Sequence, residues 1–461
     1  MSTAIKHPTK TTLALAVAAL LPLYAEADAS TDARIQALER ELQALKQQLQ
    51  VQSRVVGNQG KEIQSLAFPA NDYILNKGDG KSLKFVSVDE KFQFQVGGRL
   101  QADAAFYDGD DNGFNNEFGD GTKIRRLFLD VRGVIDRDWN YRFQYDFARP
   151  AGGDSGARGI RDAWLQYTGW GLNQITVGNF KEYFGLEHLT SGLYTTFIER
   201  GVTDDLFTPD RHLGVGIGTY RPNWTANIGL FGERAEGDAA NEGDEGWDLT
   251  GRYTYAPVAL AGKVVHLGVA ARYHQPNDST TELRFRARPE SNVTDVRLID
   301  TNVLAGVDNT LGIGLEGAVV SGPFSLQGEY ITTRVQRDDA LDDVDLNAWY
   351  VYGSWFLTGE SRPYRTKEAV FDRITPLTPV GKGDGLGGAW EVALRYSNAD
   401  LNDGALVGGE QGNLTLGLNW YATKNLRFAA NYIHVLDVDR PGNRYDGQDL
   451  DTLLFRAQVD F

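Results

Sequence analysis

The sequence has no cysteine, so it can form neither a disulfide framework nor a thiolate metal site. Beyond its N-terminus it has no long apolar run, and with a mean hydropathy of −0.37 no helix is expected to cross a membrane. It is short of positive charge: 46 Lys and Arg face 62 Asp and Glu, and the formal charge of −16 argues against a nucleic-acid partner. Histidine is scarce, six in all, and no nucleophile–base motif stands beside any of them, so nothing points to an enzyme. None of these absences excludes a membrane barrel. Its strands dilute their apolar residues with lumen-facing polar ones, and hydropathy averages pass over them.

What is present has a period of two. In Phe92–Phe106, Phe92, Phe94, Val96, Leu100 and Phe106 share one parity, and Gln93, Gln95, Arg99, Gln101 and Asp103 share the other. Alternation places these sets on opposite faces of a strand. At roughly 3.3 Å per residue the strand is about 50 Å long, and tilted by about 45° it crosses an apolar band of ~25 Å. Fifteen more alternating stretches follow, near 124–135, 139–148, 160–167, 173–181, 213–220, 224–232, 246–255, 264–273, 309–320, 324–335, 345–357, 389–398, 412–420, 426–435 and 453–461. The even total is what single-chain bacterial barrels have. Short links alternate with longer loops, among them 182–212, 274–308 and 399–411. The link 358–388 is an exception, long on the side of the short turns. Glu282–Arg288 also alternates, but a strand there would invert every later loop, so it is placed within 274–308.

The reading is therefore all-β: a 16-stranded antiparallel transmembrane β-barrel over 92–461, with an N-terminal α-helical coiled-coil segment. Lys6, His7 and Lys10 precede an apolar run and then small residues at Ala25, Ala27 and Ala29, a signal peptide over 1–29 with three compatible cleavage points. Ile35, Leu38, Leu42, Leu45 and Leu49 open a heptad seam that runs to Leu66, so 30–66 reads as a periplasmic coiled coil and the protein as an oligomer. The competing reading is one amphipathic helix lying on its own domain. Residues 67–91 are a linker leading into the barrel. Secretion without cysteine points to a Gram-negative envelope.

Parity puts Arg126, Phe128, Asp130, Arg132, Arg142, Arg272, Arg395, Arg427 and Arg456 in the lumen. Most lumen arginines are expected to pair with acids across strands and stiffen the wall. Three features stand above that. Arg284, Arg286 and Arg288 alternate in one stretch, about 7 Å apart, as a row of guanidinium donors suited to phosphate or carboxylate oxygens. Arg125 and Arg126 stand at the mouth of the second strand. Loop 182–212 carries Glu187, His188, Glu199, Arg200, Asp204, Asp205 and Arg211. Acid clusters in the first, fourth and sixth loops suit either solvated tips or divalent cations bridging lipopolysaccharide.

The motifs VGGRLQAD (Val96–Asp103), RRLFLD (Arg125–Asp130), VGNFKEYFGLE (Val177–Glu187), FIER (Phe197–Arg200), LRFRARP (Leu283–Pro289), FLTGESRPY (Phe356–Tyr364), GAWEVALRY (Gly388–Tyr396) and TLGLNWY (Thr415–Tyr421) resemble those of the phosphate- and polyphosphate-selective porins of Gram-negative outer membranes. The resemblance spans roughly Lys91 to Phe461. It implies a homotrimer in the outer-membrane lipid, without cofactor or metal, that conducts phosphate or polyphosphate along an arginine ladder. Arg99, Arg125, Arg126, Arg284, Arg286 and Arg288 match ladder positions and Asp162 the acid near the constriction, with Lys181, His188 and Arg200 beside the third loop. The chain departs from the phosphate-type pattern at Glu90, Phe128, Lys181 and His188, which leans away from a strict orthophosphate filter. The alternatives are a general or cation-preferring porin and a structural or adhesion barrel.

Overall fold

The computed structural model describes residues 42–44, 46–48, 73–76, 83–109, 118–148, 159–232, 245–277, 281–338, 340–382 and 387–461. The chain divides into Met1–Asp72 and Tyr73–Phe461. In the first unit, 42–44 and 46–48 are helical and exposed. The signal peptide and the rest of the heptad seam lie outside the described residues.

The second unit opens with a hairpin, β1 (Tyr73–Asn76) and β2 (Leu83–Ser87), in the stretch expected to be a linker. β2 pairs with the first residues of β3 (Gln93–Gly109). The wall continues through β4 (Gly121–Ile135), β5 (Trp139–Asp146), β6 (Ile160–Trp170), β7 (Asn173–Lys181), β8 (Arg211–Tyr220), β9 (Trp224–Phe231), β10 (Trp247–Leu260) and β11 (Lys263–Gln275). A two-stranded piece, β12 (Arg286–Ala287) with β13 (Ile299–Asp300), lies in the following loop. Then come β14 (Val307–Ser321), β15 (Phe324–Arg337) and β16 (Val344–Phe356). A second small hairpin, β17 (Tyr364–Arg365) and β18 (Val370–Phe371), precedes β19 (Ala389–Asp403), β20 (Leu406–Tyr421), β21 (Leu426–Asp439) and β22 (Leu450–Asp460).

Without the three small hairpins, sixteen antiparallel strands close on themselves, β22 pairing with β3 from Leu450↔Gly109 to Asp460↔Arg99. At the seam Phe461 N donates to Gly98 O at 3.1 Å and Gly98 N to Phe461 O at 3.0 Å. A side chain on Gly98 would stand 2.8 Å from both Phe128 O and the Phe461 ring, so only glycine admits this approach. The stretch 282–288 stays in the loop, as expected. The expected loop 399–411 instead shrinks to a turn at 404–405, where Gly404 (φ 55) takes the left-handed backbone that joins the strands.

The barrel is apolar outside and polar inside. On β22, Leu453, Phe455 and Val459 are exposed while Thr452, Arg456, Gln458 and Asp460 are buried. Rings line the end that carries the short turns: Phe324 on Trp355 (5.6 Å), Trp390 on Trp420 (5.6 Å) and Trp139 on Tyr167 (4.8 Å). Such a girdle marks an apolar–polar boundary.

Candidate functional site: a cationic constriction

The residues between β7 and β8, 182–210, fold into the lumen. Their apolar side chains meet an apolar patch of inner wall. Phe184, Val202, Leu206 and Phe207 pack with Ile331, Val335, Leu346 and Ala348, and Phe197 with Tyr350 and Tyr352. Two short helices, Leu186–Leu189 and Val202–Phe207, leave most of this loop's carbonyls without internal partners. Wall side chains supply them, because buried backbone groups must be satisfied. Arg427 donates to Thr195 O and Thr196 O (2.7 and 2.6 Å), Asn419 to Thr196 O (2.9 Å), Arg395 to Glu199 O (3.1 Å) and Gln101 to Gly192 O (3.0 Å). Many inward arginines therefore hold the loop rather than face an open pore.

The 357–388 link enters from the turn end. Val370, Phe371 and Ile374 are buried, Arg362 stacks 3.7 Å over the Phe371 ring, and Arg252 donates to Ala369 O (2.9 Å). This anchoring delivers Arg365, Lys367 and Glu368 to the space beneath loop 182–210.

The two insertions leave a cavity of about 330 Å³ lined by ten Arg and Lys residues against three carboxylates. Pairing decides what that imbalance means. Arg142 bonds Asp130 (2.7 Å) and Asp162 (3.0 Å), Arg211 bonds Asp162 (2.7 Å), and Arg161 bonds Asp210 (2.8 Å). Arg252 meets Glu316, Arg200 meets Asp204, and Arg365 meets Glu368. Among the described residues, four lining cations have no carboxylate at ion-pair distance. Arg99 lies 4.2 Å over Phe128, Arg126 touches only Gln101 (2.8 Å), Lys181 donates to His188 O, and Lys367 stands 4.9 Å over Tyr220. These four carry the surplus charge.

Of the expected site residues, Arg99, Arg126, Asp162, Lys181, His188 and Arg200 line this cavity. Arg125 and Arg288 line a smaller one towards the loop end, with Arg200 common to both. Arg125 is bound at both ends of its guanidinium by Glu199 (2.8 and 3.0 Å), which Arg456 also holds. Arg284, Arg286 and Arg288 do not form one open row in the lumen. Arg284 pairs with Asp300 and Arg288 with Asp295, while Arg286 is exposed and lines neither cavity. Glu90 sits in the turn before β3 with φ 58.

Two bulges explain what parity missed. Gln101 pairs with Arg126 and Ala102 with Ile124, so Arg125 is an extra residue and both arginines turn inward. Phe143 pairs with Ala163 and Tyr145 with Ile160, which likewise puts Arg161 beside Asp162 on the cavity.

An unperturbed imidazole titrates near 6.5. His188 Nδ1 donates to Asp204 Oδ1 (2.6 Å), and its Nε2 is buried without a partner. A proton on that Nε2 would be an unsatisfied buried donor. Burial, then the Lys181 ammonium, push the imidazole down to about 4 against the pull of Asp204. His188 is therefore neutral from pH 6 to 8. Below its unfolded value near 6.5 the unfolded chain binds the extra proton, so this residue's contribution to stability is whole above that pH and is lost towards pH 4. The His188→Gln channel should keep the parent's conductance profile between pH 6 and 8; a profile flattened by the substitution would overturn this reading.

A candidate ion cluster, Glu182, His212 and Asp248, is occupied by protein charge. Arg272 reaches Asp248 at 2.9 Å and Glu182 at 3.5 Å and answers the carboxylates a cation would need.

A closed, inside-out barrel narrowed by inserted loops is the architecture of a porin. The profile of the family described as phosphate-selective porin O and P matches residues 94–461, and the chain belongs to that family. It is 29% identical over 411 residues to Porin O of Pseudomonas aeruginosa, covering 82% of this chain and 91% of that one. It is 31% identical over 362 residues to an uncharacterised protein of Caulobacter vibrioides, covering 76% and 70%. Among solved structures it is similar to the outer-membrane channel DcaP of Acinetobacter baumannii, with a TM-score of 0.49 at 14% identity over 82% of this chain and 99% of that one. It is also similar to the anion-selective porin from Comamonas acidovorans, with 0.47 at 14% over 80% and 100%. The protein is thus an outer-membrane porin, a channel and not an enzyme.

Proposed function

We propose that this porin prefers anions and passes phosphate and short polyphosphates. The observation that carries the reading is the set of four constriction cations without carboxylate partners. The smaller cavity's three arginines are answered by Glu199, Asp204, Asp205 and Glu290; Arg200 stands between the two cavities, and Arg126, Lys181, Arg99 and Lys367 hold the anion beyond it. Each site must bind well enough to recruit and weakly enough to release. A millimolar constant, about −4 kcal/mol, suits two or three semi-hydrated contacts. A phosphate dianion gains more than chloride from such spacing, and a polyphosphate can hold two sites at once. The test is single-channel reversal potential in asymmetric salt with phosphate added. Anion preference and a phosphate block of chloride current are expected; cation preference would end the proposal, and absence of block would end its phosphate part.

The working unit we infer is a trimer in the Gram-negative outer membrane, with the loop end outside and acidic loop tips facing lipopolysaccharide. β5 and β9 have eight residues each. Tilted by about 45° they rise roughly 19 Å, less than an apolar band of ~25 Å. Their exposed Trp139, Phe143, Ile228 and Leu230 suit a wall covered by neighbouring subunits. Residues 1–29 serve as the export signal, and the heptad seam adds a periplasmic coiled coil. Chains lacking Asp32–Leu66 should still run as trimers; monomers would assign assembly to the seam.

A further inference from the structure

Behind loop 182–210 lies a third cavity, of about 240 Å³, which shares only Asp210 with the constriction. One end is apolar. Phe207 and Phe285, with ring centroids 5.6 Å apart, close it with Leu283. The other end presents His212, His274 and Arg272 from the wall. An engineered apolar cavity of about 150 Å³ suffices for benzene, so this one has room for a substituted ring.

Charge decides what sort of molecule fits. His212 Nδ1 is tied to Glu182 and His274 Nδ1 to Asp248 (2.8 Å), while Arg272 donates to Asp248 (2.9 Å) and lies 3.5 Å from Glu182. Two carboxylates face a single guanidinium, so the cluster has no surplus positive charge for an anion, and the imidazole and guanidinium N–H groups already occupy the carboxylate oxygens. What remains is hydrogen-bonding capacity. Neither His212 Nε2 nor His274 Nε2 has a partner among the described residues. A bare Nε2 accepts and a protonated one donates; a hydroxyl meets either.

We propose that this chamber binds a small neutral phenol: a single ring against Phe207 and Phe285, with its hydroxyl at the histidines. The occupant lies against the Val202–Phe207 helix and so braces the loop that forms the constriction.

Gly312 supplies the test. A Cβ there would meet Thr333 Oγ1 at 3.5 Å, the Phe184 ring at 3.8 Å and Arg272 O at 3.9 Å, ordinary contacts, so Gly312→Leu adds bulk to the chamber while every charged side chain of the cluster is kept. The probe is 4-fluorophenol, followed by fluorine NMR on the full chain in nanodiscs, with empty nanodiscs as blank. Saturable binding of one probe per chain is expected, about tenfold tighter than fluorobenzene because the ring alone leaves the polar end unpaired. Gly312→Leu should abolish it, His274→Phe should erase most of the tenfold preference while keeping ring binding, and excess phosphate should not compete. Lack of saturable binding to the unmodified chain, binding unchanged by Gly312→Leu, or displacement by phosphate would each overturn the proposal, the last by placing the probe in the conducting cavity.

Discussion

A channel in which Arg99, Arg126, Lys181 and Lys367 are all Gln will lose at least nine-tenths of its anion-over-cation preference in 0.1 M salt. None of the four has a carboxylate at ion-pair distance among the described residues, so theirs is the least answered charge around the 330 Å³ cavity. At about 6 Å one unit charge is worth roughly 0.7 kcal/mol at a dielectric of 80 and 2.8 at 20. Two such charges within reach match the 1.4 kcal/mol that makes a factor of ten at a dielectric of 80 and exceed it at 20. Neutralising the paired Arg142 or Arg161 instead should also cost stability, since each leaves an aspartate without one of its partners. Near 1 M salt, where screening acts within about 3 Å, the difference between parent and variant should shrink. The readout is reversal potential across a salt gradient; a variant that keeps the parent's preference at 0.1 M would refute the assignment of surplus charge to these residues.

The second large effect is on stability. Glu290→Ala is expected to cost about 3 kcal/mol or more, read as a lowered unfolding temperature, and to open loop 276–306 to protease. Glu290 hangs from that loop with φ 51 and is almost wholly buried. Its carboxylate takes Ser397 Oγ (2.6 Å), Thr415 Oγ1 (2.8 Å) and the Arg395 guanidinium. Arg395 is 1% exposed and stacks 4.3 Å over Phe197. Without Glu290 its nearest carboxylate is Glu187 at 3.8 Å, too far for a good hydrogen bond. Because Arg395 also holds Glu199 O, the loss should loosen both inserted loops. An unchanged unfolding temperature would show that the loop is held elsewhere.

The wall was legible in the sequence because a lipid-facing strand must alternate, and a two-residue period survives without any knowledge of partners. The constriction was legible only in part. Parity identified Arg126 and Phe128 as inward, but it cannot register an inserted residue, so the bulges at Arg125 and Arg161 changed the count of inward cations. The inner wall is not polar throughout. Ile331, Val335, Leu346 and Ala348 are apolar there because loop 182–210 covers them, a tertiary fact with no local signal. The pairing of Arg284 with Asp300, sixteen residues on, and the entry of Lys367 from the turn end also depend on how loops fold back. His188 stands next to Glu187 in sequence, whereas its partner is Asp204, sixteen residues on in a short helix, and its other nitrogen is buried.

The seam between β22 and β3 has a consequence for biogenesis. Each neighbouring hairpin can form soon after its second strand is made. The seam joins groups 353 residues apart, as in the Arg456–Asp103 pair, and closing so long a loop costs about 5 kcal/mol in chain entropy. Folding order is thereby constrained: the last contact to form is also the least local, which slows closure. Until Phe461 docks on Gly98, β3 and β22 expose unpaired backbone edges open to pairing with other chains. A nascent chain of this design therefore needs its two free edges masked until translation has delivered its final residue.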